Sequence, residues 1–107
     1  MSDVAFLPAN RLAGLIRRGK IGCLELLDHY IKRVERFNPA LNAIIATDFD
    51  RARKDAKAAD TETTKGSFRG PLHGVPMTVK DSFDVAGLPT TWGVPVQRGN
   101  RVEADAL

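Results

Sequence analysis

Two short apolar runs constrain what this chain can fold into. Ala43-Ile44-Ile45-Ala46 is continuous and bounded by Asn42 and Asp48. A run of that length without alternation suits a strand covered on both faces. Further on, Val75, Met77 and Val79 alternate with Pro76, Thr78 and Lys80. An extended backbone there sets Lys80 opposite the three apolar side chains. Strands are thus expected at about 42–47 and 75–80. A strand buried on both faces needs neighbours, and two candidates do not make a sheet. The expected fold class is therefore α/β, with the sheet incomplete in this chain. Residues 1–107 read as one domain at most, the N-terminal piece of a longer protein.

Helical periodicity fills the space around these runs. Leu12, Leu15 and Ile16 follow i, i+3, i+4 spacing between Pro8 and Gly19, which predicts a helix over about 8–18. A second helix is expected over about 23–37. Gly22 is its N-cap, Glu25 stands three residues on, and Leu24, Leu27, Ile31 and Val34 form its stripe. Asn38-Pro39 should end it, because the residue before proline avoids helical geometry. A third helix is predicted over about 49–60, where Phe49, Ala52, Ala56 and Ala59 share a face small enough to pack on a sheet. Thr61–Arg69 reads as a polar loop, and Glu103–Leu107 as the first turn of another helix.

Composition excludes several classes of function. No apolar run approaches the ~20 residues needed to span a bilayer. Met1-Ser2-Asp3 does not begin a basic and then apolar leader. The single cysteine, Cys23, forbids an internal disulfide and fits a reducing compartment, so the expected location is cytoplasmic. The net charge of +3 lies in residues 1–60, with eleven Lys/Arg against eight Asp/Glu, while residues 61–107 balance five against five. The basic cluster Arg17-Arg18-Gly19-Lys20 suits the negative end of a helix dipole better than a phosphate. With two histidines and one cysteine far apart, no metal site is expected. No cofactor is expected either, since phosphate-binding and dinucleotide motifs are lacking.

Lys80 is the residue with chemistry to offer. A lysine closes a buried strand usefully only if its amine is used, and general-base work requires a pKa brought down from ~10.4 toward neutrality. Burial and nearby cations do this, whereas a carboxylate such as Asp81 opposes it. Periodicity alone favours the plainer reading of a solvated lysine. Ser82 is a poor nucleophile candidate, because it shares the side of Lys80 only if the strand runs on. His73 is expected to be a hydrogen-bonded loop histidine, His29 exposed, and Trp92 a packing residue. Cys23, at a helix start, is open to a lowered thiol pKa, with a structural role preferred.

The stretch Gly70–Gly93, GPLHGVPMTVKDSFDVAGLPTTWG, resembles the lysine-bearing segment of the amidase signature family. The matching positions are Gly70, Pro71, Leu72, Gly74, Val75, Pro76, Val79, Lys80 and Asp81, followed by the Gly87-Leu88-Pro89-Thr90-Thr91 loop. Asn38-Pro39 with Leu41-Asn42-Ala43, and the helix containing Ala52-Arg53, resemble the family more weakly. The resemblance implies a mixed, twisted sheet covered by helices, of which this chain carries the N-terminal part. It also implies an amide hydrolase with a Ser–cis-Ser–Lys triad, in which Lys80 is the catalytic base. Both serines of that triad belong to a Gly/Ser-rich segment downstream, and the serines here are Ser2, Ser67 and Ser82. The chain alone is therefore expected to be inactive.

The expected partner is a small-molecule amide, with no membrane and no nucleic acid; a homodimer of the full-length protein stays open. One alternative is the tRNA-dependent branch of the family, the amidase component of an aminoacyl-tRNA amidotransferase, although Lys80-Asp81-Ser82 resembles the stand-alone amidases more closely. An alternative of another class is a non-catalytic remnant or interaction module that docks through its second helix.

Overall fold

The structure, a computed structural model, describes residues 2–106. They fall into two compact units, one up to Pro76 and one from Met77.

The first unit is helical. After a 3-10 turn over Ser2–Phe6 come α1 (Ala9–Arg17), α2 (Cys23–Leu41) and α3 (Phe49–Thr64). Pro8 takes the N-cap of α1, where a missing N–H costs nothing. Its C-terminus closes in a Schellman arrangement. Gly19 turns at φ 69°, Lys20 N–H reaches Leu15 O at 2.8 Å, and Gly19 N–H reaches Ile16 O at 3.0 Å. Arg17, in the last turn of α1, donates to Gly70 O at 3.1 Å and lies over the Phe68 ring at 4.8 Å.

α2 begins at a glycine, which has no side chain with which to cap. The carboxylate of Asp60 on α3 supplies the acceptors instead, taking Cys23 N–H at 2.6 Å and Leu24 N–H at 3.1 Å. Glu25 reaches back to Gly22 N–H at 3.1 Å. The core gathers at this end: Leu12 and Ile16 of α1, Ile21 just ahead of α2, Cys23 and Leu26 of α2, and Ala59 of α3, with Tyr30, Ala56 and Val75 packed against them. The buried face of α2 is thus set by Cys23, Leu26 and Ile31, while Leu24, Leu27 and Val34 of the predicted stripe are half-buried. The alanine face of α3 packs against α2 rather than on a sheet.

Three boundaries differ from expectation. α2 runs on through Pro39 to Leu41, since a proline in the last turn removes one N–H and the helix has little left to lose. It ends at Asn42 in the left-handed conformation, whose N–H reaches Asn38 O at 2.7 Å. α3 extends to Thr64 instead of stopping near residue 60. The hydroxyls of Thr61, Thr63 and Thr64 bond carbonyls one turn back at 2.9–3.2 Å, and Gly66 at φ 72° then ends the helix.

The two predicted strands do not form among the described residues. In 42–47, the Ile44 backbone is held by the Asn38 side-chain amide, which both donates to Ile44 O and accepts from Ile44 N–H at 2.9 Å. Ile45 is left 60 % exposed. Residues 76–80 take no regular structure, and Met77 and Val79 are exposed. The physical reason is the lack of a ladder: an extended segment becomes a strand only beside another.

The second unit holds a 3-10 turn over Pro95–Gln97 and one isolated antiparallel bridge, Pro89 to Arg101. Gly87 N–H reaches Val102 O, and Thr90 N–H reaches Asn100 O, both at 2.8 Å. Segments 84–90 and 100–106 thereby lie side by side. Residues 103–106 are not helical: Asp105 accepts Ala86 N–H at 2.7 Å, and Ala106 N–H reaches Asp84 O at 2.9 Å. Leu107, the last residue of the predicted helical turn, lies outside the described residues.

Candidate active site

Lys80 is exposed, at the end of the Met77–Lys80 segment in the second unit. Its carbonyl accepts Phe83 N–H at 3.0 Å, so the chain turns immediately after it. That turn prevents the extended alternation from continuing. Ser82 lies inside the turn, half-buried, with no hydrogen bond to Lys80 among the described residues.

Asp81 points to a different partner. Its Oδ1 accepts Thr91 N–H at 3.0 Å, its Oδ2 accepts the Thr91 hydroxyl, and its backbone carbonyl accepts Trp92 N–H at 3.3 Å. The loop from Asp81 to Thr91 is closed at its neck by these bonds. The Thr91 hydroxyl holds the Asp81 carboxyl below the usual carboxylate range, with the Thr91 N–H and the Lys80 charge acting in the same direction. Sequence reasoning does not single out Thr91, because nothing in a Thr-Thr pair within a loop marks one hydroxyl as a partner. Trp92 is 69 % exposed at φ 57°, so it does not pack the loop as expected.

The other half of the motif belongs to the first unit. His73 is buried: its Nδ1 accepts Arg69 N–H at 3.2 Å, and its Nε2 faces Ala59 O at 3.1 Å and Thr63 Oγ1 at 2.9 Å. With Nδ1 accepting, the proton belongs on Nε2, and the ring is a neutral pin that holds the Gly70–Gly74 turn on the end of α3. Arg69 adds a bidentate pair with Glu62 at 2.6 and 2.8 Å. At the centre sits Cys23, fully buried; burial, and then the Asp60 carboxylate, push its thiol up to about 11. Its pKa is raised rather than lowered, because desolvation outweighs the helix start. His29 is half-buried, edge-on to Tyr30 at 5.9 Å, rather than exposed. Among the described residues no group of three or more His, Cys, Asp or Glu side chains is placed to hold a metal ion. No described helix is long and apolar enough to cross a membrane.

The chain's fold is that of part of an amidase: a crystal structure of amidase superposes with a TM-score of 0.74 at 39 % identity, covering 78 % of this chain and 19 % of that one. The sequence model of the Amidase family matches residues 25–107. The chain belongs to the Amidase family. It is 36 % identical to an acylamidase of Rhodococcus erythropolis, over 98 % of this chain and 23 % of that protein. It is also 34 % identical to the amidase component of the glutamyl-tRNA(Gln) amidotransferase of Salinispora arenicola, over 99 % of this chain and 22 % of that protein. The chain thus spans less than a quarter of the length of these relatives.

Proposed function

We propose that this chain contributes the lysine base, Lys80, to an amide hydrolase whose two serines lie elsewhere in a longer protein. The observation that carries the reading is the family match over residues 25–107, which contains the whole Gly70–Gly93 stretch. In the proposed reaction the uncharged Lys80 amine takes a proton from a bridging serine. That serine takes the proton of the nucleophilic serine as its oxygen bonds to the amide carbon. Backbone N–H groups hold the oxyanion. The proton then passes to the leaving nitrogen, the C–N bond breaks, and ammonia or an amine departs. Water repeats the path on the acyl-enzyme and releases the carboxylate.

The unpaired segments 42–47 and 75–80 belong to the same proposal. We assign them to a mixed, twisted sheet whose other strands the longer protein supplies. On this reading residues 1–107 alone do not hydrolyse amides, the substrate is a small carboxamide, and the working place is the cytoplasm.

A second reading, the amidase component of an aminoacyl-tRNA amidotransferase, is favoured by the match to the Salinispora arenicola protein. Ammonia release separates the two. The full-length protein carrying this chain should release ammonia from a simple primary carboxamide with no RNA present. Release only in the presence of aminoacyl-tRNA and partner proteins would favour the second reading.

A further inference from the structure

Lys80 is followed at once by an acid, and a carboxylate free to turn toward an amine favours the charged amine. In this chain that acid is engaged elsewhere. Both carboxylate oxygens of Asp81 are taken by one residue, Thr91: the N–H at 3.0 Å on Oδ1 and the hydroxyl on Oδ2. The Thr91 hydroxyl oxygen in turn accepts Gly93 N–H at 3.3 Å, which fixes its proton toward Asp81. The close cation–carboxylate pairs of the described residues join Arg53 to Asp28, and Arg69 and His73 to Glu62; none takes Lys80. Among the described residues, Lys80 is the charged group that acts on Asp81. Other charged side chains of this unit bond elsewhere, Arg101 to Gly87 O at 2.9 Å and Asp105 to Ala86 N–H at 2.7 Å.

We propose that Thr91 is a positioning residue for Lys80. By holding both oxygens of the adjacent carboxylate, it keeps Asp81 from pairing with the amine. The inference rests on the reading of Lys80 as a base. Thr91 touches no reacting atom; it acts only through Asp81.

The test is the pH dependence of kcat/KM for a primary carboxamide, measured on the full-length protein carrying this chain. Thr91→Val removes the hydroxyl at nearly constant volume and frees one carboxylate oxygen. The low-pH limb of the profile should then move upward by about one unit, so that activity near neutrality falls by about tenfold. Thr91→Ser should restore the wild-type limb. In the Thr91→Val/Asp81→Asn double variant the upward movement should vanish, because no charge remains to pair with the amine. A Thr91→Val variant that loses activity with its limb unmoved overturns the proposal, as does an equal upward movement in the double variant. Asp81→Asn alone provides a check that does not depend on Thr91→Val folding. Its limb should stay at the wild-type position or below, and an upward movement overturns the proposal. Lys80→Ala, assayed in parallel, separates the two layers. An unmoved Thr91→Val limb beside an inactive Lys80→Ala removes only the positioning role, whereas full turnover by Lys80→Ala removes the base as well.

Discussion

At Gly74 the backbone turns at φ 78°, and a Cβ there would overlap Sγ of Cys23 and come within 3.3 Å of Ile16 Cδ1. Cys23 cannot yield, because it is fully buried with its N–H on Asp60. The glycine in the motif is therefore explained by packing as well as by backbone conformation. Gly74→Ala should destabilise the first unit by on the order of 3 kcal/mol, combining a left-handed alanine with overpacking. In a Cys23→Ala background the same substitution should cost about 1–2 kcal/mol, the conformational share alone. Urea denaturation of the four proteins measures this coupling; equal costs in both backgrounds would remove Cys23 from the explanation. Gly74, Lys80 and Asp81 were visible in the sequence as a pattern, and the reasons for them were hidden. Cys23 is 51 residues from Gly74 and Thr91 is ten residues from Asp81, and no local signal encodes such contacts.

Among the elements, α2 depends on another helix for its start. Its N-cap is Gly22, and Asp60 of α3 accepts the first two N–H groups of the helix. Removing a capping oxygen costs about 0.5–2 kcal/mol, and here one carboxylate serves two donors. Asp60→Ala should therefore lower stability by about 1–2 kcal/mol and speed amide hydrogen exchange first at Cys23 and Leu24. Exchange that quickens elsewhere and leaves those two amides protected would contradict the cap. All three helices were legible because amphipathic periodicity is a local property. Their ends were less so: Pro39 fell late enough in α2 to be tolerated, and the threonines of α3 bonded back onto the helix. The strands were misjudged for a different reason. Ala43–Ala46 and Val75–Val79 have strand-like composition, but pairing is not a property of one segment.

For the molecule as a whole, apolar exposure and family membership point the same way. Met77 is 81 % exposed, Trp92 69 % and Val96 87 %, more than a well-covered apolar face leaves open. The chain covers 23 % of the acylamidase that it resembles over 98 % of its own length. Both facts suit a piece of a larger amide-hydrolysing site, in which Lys80 is the proposed base and Asp81 is tied back by Thr91. Carboxamide turnover by the full-length protein with Lys80→Ala, read beside its urea unfolding midpoint, decides whether Lys80 has that role. A general base contributes about 10²–10⁴-fold. A loss of that size is expected with the midpoint unchanged, since the Lys80 side chain is exposed and in no ion pair among the described residues. Turnover within a few-fold of wild type in a folded Lys80→Ala protein would contradict the assignment.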